Sequence, residues 1–423
     1  MSPPSSLPSL KLRLTSTLSR KQEPFTPLSP EGVRMYHCGP TVMEPVNIDK
    51  FRSYLLGDVL RRYLEYQGLL VRQVMNITDV GHLNEFEEDA VEITASRSGL
   101  YAWELVEQEE KAFHQDRRAL NILDAHVYPR AREHVPEMIE FIEKLLEAGA
   151  AYRVGGHVYF DMGKARSLGR LSGKAREELE SLKEKALAAS RAGSSAPEKR
   201  HPLDFDLWRP DALHQIHWSS PWGRGFPGWH VECVVMSRKY LGTTFDIHSG
   251  SEENIFPHHE CEIAQAEAAG GEPLARLWLH SRHVLLAGKP ISRPNRNLLT
   301  VRGLVETGEI RGPEIRGALL SARFREPLEF RPEAVDEARE AIALLRGFRD
   351  HHRTGPPGAP PTDALRDRIA RAEREFTEAM DDDLDVPRAL GAVRRISKDL
   401  ASVAPCREAA AAVDRFDRVL GLL

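Results

Sequence analysis

The feature that most constrains the fold of this chain is a strand–helix–strand pattern near its N-terminus. Residues 33–39, VRMYHCG, form an apolar run that predicts a buried strand ending at a turn. Residues 52–68 carry apolar side chains at helical spacing and end at Gly68, which predicts a helix, and residues 71–78 predict a second strand. Three such elements with short connections predict a βαβ unit, which implies a parallel sheet.

The middle of the chain contains further strand and helix patterns. Residues 99–150 read as helical and charged, and residues 151–162 as a hairpin that turns at Gly155–Gly156. Residues 176–200 are polar and low in complexity, which is typical of a mobile excursion. We expect residues 245–250 and 283–288 to return the chain to the sheet, with a helix over 258–271 between them.

The C-terminal part of the sequence predicts a helical bundle. Residues 353–363, RTGPPGAPPTD, indicate a loop or linker. Periodic apolar residues around it predict helices over 332–349, 364–380, 386–402 and 407–421.

Composition limits the classes of function. No apolar run approaches the ~18 residues of a membrane helix, and the N-terminus lacks the apolar region of a secretory signal, so we expect a cytoplasmic protein with no membrane partner. The net charge of −5 requires any nucleic-acid partner to meet a local basic patch. The four cysteines are too few and too scattered for a disulfide scaffold, which leaves metal binding or burial as their uses.

Four residues from three separate segments have the character of metal ligands. Cys38 ends the first strand, Cys233 lies in GWHVEC, and His258 and Glu262 are spaced i,i+4 on one helical face. Two thiols, one imidazole and one carboxylate match the ligand preferences of Zn²⁺. Spacing alone leaves the alternative open that both thiols are core residues and that His258 is a satisfied polar side chain.

Several motifs that keep their order along the chain resemble the cysteinyl-tRNA synthetase family of class I aminoacyl-tRNA synthetases. They are MYHCGPTV (35–42), LRRYLEYQG (60–68), NITDVGHL (76–83), SPWGRGFPGWH (220–230), GWHVEC (228–233), FPHHECEIAQ (256–265) and AMDDDLDVPRAL (379–390). The resemblance extends over nearly the whole chain, from about Leu10 to Leu423.

The resemblance implies that Cys38, Cys233, His258 and Glu262 bind a zinc ion, which in turn binds the thiolate of L-cysteine. It also implies that residues around the bound amino acid are Gly39, Thr41, Thr78 and Trp229. Zinc favours a thiolate over the hydroxyl of serine, so the metal itself discriminates between the two amino acids. For His230 and His259 we expect a supporting role or a place on the helix surface.

The first ATP-binding signature of the family is altered in this chain. The His-Ile-Gly-His form is replaced by Asn47-Ile48-Asp49-Lys50. Asn47 cannot carry a charge. Asp49 adds a side chain and a negative charge where a polyphosphate is expected to bind, and Lys50 offsets that charge only in part. These changes predict weakened use of ATP as a cofactor.

The second ATP signature, Lys-Met-Ser-Lys-Ser in the family, reads Pro290-Ile291-Ser292-Arg293-Pro294 here. Lys289 and Arg293 retain positive charge, but the two prolines stiffen a loop that has to move in relatives. In HSGSEEN (248–254), Gly250 remains from a glycine-rich run, and Glu253 takes the place of a ribose-binding carboxylate. The family usually continues into a small anticodon-recognising module beyond the point where this sequence stops.

Combining the resemblance with the βαβ pattern, we expect an α/β fold: a Rossmann-like parallel sheet with an inserted connective domain, followed by an α-helical bundle. The predicted segments are 1–117 and 206–270 for the two halves of the Rossmann-like domain, 118–205 for the insertion, 271–330 for a connecting segment and 331–423 for the bundle. We expect a monomer.

Three functions remain open on sequence alone. The first is a paralogue that binds cysteine at zinc and ligates or presents it to an amine or hydroxyl acceptor other than a full tRNA. The second is a cysteine–tRNA ligase with divergent signatures. The third is a non-catalytic thiol or metal sensor on the same scaffold.

Overall fold

The computed structural model of the protein describes residues 10–80, 90–182, 199–211, 215–292, 295, 297–356, 361–399 and 403–423. In that part of the chain the strands are β1 (Arg13–Ser16), β2 (Lys21–Pro24), β3 (Val33–His37), β4 (Val71–Met75), β5 (Ala151–Val154), β6 (His157–Phe160), β7 (Phe205–Pro210), β8 (Trp218–Ser220), β9 (Gly223–Pro227), β10 (Phe245–Ser251), β11 (Ala275–Ser281), β12 (Val284–Leu286), β13 (Lys289–Pro290) and β14 (Leu328–Glu329).

The α-helices of the described residues alternate with these strands and then form the C-terminal region. They are α1 (Ile48–Tyr66), α2 (Ala90–Arg97), α3 (Ala102–Ala119), α4 (Val135–Glu147), α5 (Trp229–Leu241), α6 (Glu260–Ala268), α7 (Val301–Glu306), α8 (Gly312–Leu319), α9 (Pro332–Arg353), α10 (Asp363–Asp381), α11 (Val386–Asp399) and α12 (Arg407–Leu420). Single 3₁₀ turns cover Ala131–His134, Met162–Lys164 and Glu252–Asn254, and a π turn covers Ile255–His259.

The central sheet has the strand order β11-β10-β3-β4, and each neighbouring pair is parallel. Helix α1 packs into a hydrophobic cluster on one face of the sheet, and α5 and α6 pack into a second cluster on the other face. The prediction of an α/β fold with a parallel sheet and a helical region is therefore confirmed. In this strand order the chain proceeds outward in one direction after β3 and in the other after β10, so the topological switch point lies between these two strands.

A second, antiparallel sheet has the order β5-β6-β7-β9-β8. Its first hairpin turns at Gly155–Gly156, both with positive φ, as the sequence predicted. Its last strands reach Pro227, beyond the expected end of the insertion at residue 205. The domain boundaries stay a prediction, and this pairing favours a later end for the inserted segment. Most of the predicted polar excursion, residues 183–198, lies outside the described residues.

Two local predictions were wrong. Residues 283–288 do not join the central sheet: β12 pairs with β13 and β14 in a small separate sheet, and β11, for which no strand was predicted, occupies the edge beside β10. Residues 99–150 are not continuously helical either. Between α3 and α4 the chain runs extended beside β4, with bridges from Val74 to Val127 and from Ile77 to Arg130.

The C-terminal helices α9 to α12 match the predicted helical stretches to within a few residues, and residues 400–402 lie outside the described part. Their apolar faces join the same cluster as α1, so the bundle packs against the sheet domain. No helix of the described residues combines the length and the apolar character needed to cross a bilayer.

A buried ion pair links the sheet domain to the end of the chain. Arg316 Nη2 donates to Asp58 Oδ2 at 2.6 Å, and both side chains are at most 1% exposed. Arg316 Nε donates to the carbonyl of Leu420 at 2.6 Å, and Nη1 donates to the carbonyl of Leu120 at 3.1 Å. One guanidinium therefore joins α1, the segment after α3 and the end of α12.

We predict that Arg316→Met lowers the free energy of unfolding by about 3 kcal/mol, because it breaks a buried ion pair, leaves Arg62 as the remaining cation beside Asp58, and removes the donor to two buried carbonyls. Arg371→Met is the matched control, since this arginine is 75% exposed and its loss is expected to cost less than about 1 kcal/mol. Urea denaturation of both variants measures the difference. An Arg316→Met midpoint equal to that of the control would contradict the importance assigned to this pair.

Candidate metal and substrate site

The candidate site lies at the carboxyl ends of β3 and β10, where the strand order reverses. Cys38 directly follows β3, and the backbone N–H of Cys38 donates to the carbonyl of Ser249 in β10 at 3.1 Å. Crevices at such switch points are the usual ligand sites of open parallel sheets. Helices α5 and α6 pack on the face of the sheet that carries Cys38, and they contribute Cys233 and Glu262 to the site.

The four predicted metal ligands meet at this point. One ligand atom from each of Cys38, Cys233, His258 and Glu262 lies within 4.8 Å of the others, and all four residues are buried. The Sγ atoms of Cys38 and Cys233 are 3.8 Å apart, and His258 Nε2 lies 2.9 Å from Glu262 Oε1. The other ring nitrogen of His258, Nδ1, is 3.0 Å from His230 Nδ1, so Nε2 is the nitrogen that faces the cluster.

The charges of these groups are strongly coupled. Burial opposes charge on His258, but the Glu262 carboxylate and the Cys233 thiol together raise the pKa of His258 to about 10. Burial likewise opposes charge on Glu262, yet His248 and His258 lower the pKa of Glu262 to about 2. Burial also raises the pKa of the Cys38 thiol. At Cys233 burial is opposed by the hydrogen bond from Cys38 and by His258, which together lower the pKa of Cys233 to about 6. A metal cation could replace the protons that these thiol, imidazole and carboxylate groups share, and it would balance their negative charges.

The spacing also fits zinc. Two sulfur atoms that are each about 2.3 Å from a tetrahedral zinc ion stand about 3.8 Å apart, and the two Sγ atoms of Cys38 and Cys233 have this separation. Two sulfur donors, one imidazole nitrogen and one carboxylate oxygen are a donor set that zinc accepts in proteins.

Three further histidines, His230, His248 and His259, surround the set, and of these only His248 was not singled out from the sequence. His259 is buried, with Nε2 3.2 Å from Cys38 Sγ and Nδ1 2.7 Å from His280 Nε2, so it does not lie on the helix surface. His248 Nε2 is 2.8 Å from Glu262 Oε2. Cys38, His248, His259 and Glu262 form a second group with metal-ligand geometry. A signal for His248 existed, since it lies two residues before Gly250 at the end of a strand.

Of the four residues predicted to surround the amino acid, three line a cavity and the fourth is buried beside it. Gly39, Thr41 and Trp229 line a cavity of about 290 Å³ that also reaches Cys38. The Trp229 ring stacks on His258, with centroids 4.0 Å apart and planes 17° apart, and so fixes that imidazole. Thr78 is buried instead, where its hydroxyl donates to Glu232 Oε2 at 2.8 Å.

The altered first ATP signature forms the start of α1. Asn47 caps the helix by accepting from the backbone N–H of Lys50 at 3.1 Å. Asp49 is only 3% exposed: its Oδ1 accepts from the backbone N–H of Val284 at 2.5 Å, and its Oδ2 is 3.3 Å from His283 Nδ1. The effect of Asp49 on a bound phosphate therefore stays a prediction. Its carboxylate points to β12, where it raises the pKa of His283 and is offset by that ring.

The other predicted ATP-site residues are spread out. An added Cβ at Gly250 would lie 2.9 Å from both Asn254 Oδ1 and His259 Cε1, so internal packing requires this glycine. Glu253 lines the cavity and forms an ion pair with Lys50. Lys289 is exposed in β13, and Arg293 lies outside the described residues.

Known proteins resemble this chain over most of its length. The model of the class I tRNA synthetase (C) catalytic domain matches residues 24–340. A cysteine–tRNA ligase of Thermus thermophilus is 40% identical over 405 residues, covering 93% of this chain and 81% of that protein. The cysteine–tRNA ligase of Thermosynechococcus vestitus is 41% identical over 396 residues, covering 92% and 78%.

Solved structures of class I synthetases share the fold. A Mycobacterium tuberculosis methionyl-tRNA synthetase bound by methionyl-adenylate aligns with a TM-score of 0.60 at 14% identity, covering 92% of this chain and 90% of that one. An Agrobacterium radiobacter LeuRS from a ternary complex with tRNA and LeuAMS aligns with a TM-score of 0.63 at 10% identity, covering 94% and 84%. By the family match and the close sequence relatives, this chain belongs to the cysteinyl-tRNA synthetase family of class I aminoacyl-tRNA synthetases.

Proposed function

We propose that the protein binds L-cysteine through a zinc–thiolate bond, and that its ATP-dependent activation of cysteine is impaired or redirected to an acceptor other than a full tRNA. The observation that carries the proposal is the meeting of four buried donor atoms from Cys38, Cys233, His258 and Glu262 beside a cavity. Zinc bound there would keep the substrate sulfur as a thiolate and would favour it over a hydroxyl.

The protein side chains prepare the site for a small thiol. The Trp229 ring holds His258 by stacking, and His230 holds its Nδ1, so the ring presents Nε2 in a fixed orientation. His248 holds the second oxygen of Glu262 in the same way. Cys38 lies both in this group and in the wall of the cavity, so a ligand in the cavity has access to the metal position.

The state of the ATP signatures supports the impaired half of the proposal. Lys50, the residue that stands where the family has its second signature histidine, is paired with Glu253. Asn47 uses its side-chain oxygen to cap α1, and Asp49 is bound to Val284 and His283. A nucleotide would have to displace the Lys50–Glu253 pair and tolerate the carboxylate that remains.

A second candidate function is an active cysteine–tRNA ligase with divergent signatures. The identity of about 40% over more than nine-tenths of the chain favours it, because the named relatives are cysteine–tRNA ligases. Cysteine and tRNA would then both be substrates. The two candidates differ in whether cysteine is activated at the expense of ATP.

We predict that the purified chain binds one zinc ion and that Cys233→Ala lowers zinc affinity by more than about 100-fold, beyond the effect of losing a supporting residue. Cys261→Ala is the matched control, because Cys261 is a buried thiol outside both predicted ligand groups. Metal analysis and competition with a chelator measure the effect. Equal zinc content in the two variants would remove the basis of the proposal.

We predict that the zinc-loaded protein binds L-cysteine at least about 100-fold more tightly than L-serine, because a site built for one donor rejects a ligand that lacks it. Isothermal titration of both amino acids, with zinc-free protein as the control, measures the ratio. Comparable binding of serine, or cysteine binding that persists without zinc, would contradict a zinc–thiolate contact.

We predict that cysteine-dependent exchange of pyrophosphate into ATP is at least about 1,000-fold slower than for the Thermus thermophilus relative, a difference of about 4 kcal/mol in the activation barrier. The reason is that Asn47 cannot carry charge and that the Glu253 carboxylate beside Lys50 would repel a polyphosphate. Robust exchange would favour the second candidate, and a tRNA charging assay would then identify the acceptor.

A further inference from the structure

Two opposite charges face each other across the cavity that contains Cys38. Lys50 lies in the first turn of α1, and Glu253 follows β10; their side chains form an ion pair and are 35% and 46% exposed. Both residues line the cavity. The neighbouring Glu252 has a different place, since its Oε1 accepts from the backbone N–H of His283 at 2.6 Å and its Oε2 is 3.1 Å from Arg282 Nε. Among the described residues that line the cavity, Lys50 is the one cation and pairs with Glu253, and Glu44 is a second carboxylate in the lining.

Such a pair is easily exchanged for contacts with a ligand. Partly exposed ion pairs are screened by water and contribute little to stability, so opening this one costs little. A ligand with a single negative charge would gain a contact with Lys50. It would also repel the Glu253 carboxylate and leave it without its cation. A ligand that carries both charges replaces one ion pair by two.

The position and size of the cavity narrow the ligand further. A volume of about 290 Å³ lies at the lower end of the range for small-molecule pockets, which favours a compact ligand. The N-terminus of α1 lies beside Lys50 and adds positive potential, which suits a carboxylate at that end. Cys38 lines the same cavity, so a thiol at the metal and charged groups at the ion pair belong to one ligand.

We infer that Lys50 and Glu253 recognise the zwitterion of a free thiol amino acid: Lys50 binds its α-carboxylate, and Glu253 binds its α-ammonium group. This inference rests on the proposed function, which supplies the contact to sulfur. It assigns the two residues to amino-acid specificity rather than to nucleotide binding. The selected class is an α-amino acid thiol with both its amino and carboxyl groups free.

Titration of the zinc-loaded full chain with three thiols tests the assignment. The ligands are L-cysteine, cysteamine, which lacks the carboxylate, and 3-mercaptopropionate, which lacks the amine. We expect Lys50→Met to weaken cysteine and 3-mercaptopropionate by about tenfold or more while leaving cysteamine nearly unchanged. Glu253→Gln should weaken cysteine and cysteamine to a similar extent and spare 3-mercaptopropionate. Lys21→Met, an exposed lysine on β2, is the control.

The double variant K50E/E253K separates loss of recognition from loss of folding, because it keeps an ion pair at this position and exchanges its two charges. We expect it to bind cysteine at least about tenfold less tightly at unchanged zinc content. If these variants leave the affinity for every thiol unchanged, or lower it equally for all three ligands, the inference is overturned while the zinc–thiolate contact stays intact. Failure of every thiol to bind the unaltered zinc-loaded protein would overturn both.

Discussion

The candidate site depends on how one fully buried carboxylate is neutralised. Glu262 has no exposed surface, and a charge in that position requires partners that compensate it. His258 and His248 each contact one of its oxygens, and two thiols lie on the same side. A protein could satisfy the carboxylate with one arginine, but this chain surrounds it with soft, titratable donors. That choice has a physical reason if a metal ion is the intended partner.

The parts of the fold that were predictable are those in which local pattern and tertiary role agree. Helix α1 and strands β3 and β4 follow from apolar periodicity and short connections, and the C-terminal helices follow from the same signal. Strand β11 was missed and residues 283–288 were misplaced because both are short apolar runs. The sequence of such a run does not specify which sheet the strand will join. For β12 the sheet is set by its pairing with β13 and β14.

For the site, sequence reasoning located the four donor residues but not their environment. The motifs around Cys38, Cys233 and His258 identified them through family resemblance, since their spacing alone left burial in the core as an open explanation. The direction of the Asp49 side chain was not predictable, because it depends on β12 approaching α1. For His259 the sequence left two expectations, and its buried contacts with Cys38 and His280 agree with a supporting role and not with a place on the helix surface.

The separation of the two cysteines along the chain has a consequence for biosynthesis. Cys38 precedes Cys233 by 195 residues, which a ribosome adds at about 5–20 residues per second. The earlier thiol therefore waits on the order of 10–40 s for its partner, and the whole second sheet is synthesised in that interval. A metal ion held by both sulfur atoms, as proposed above, could be bound only after α5 has been translated, and until the chain folds Cys38 lacks the burial that it has in the finished protein.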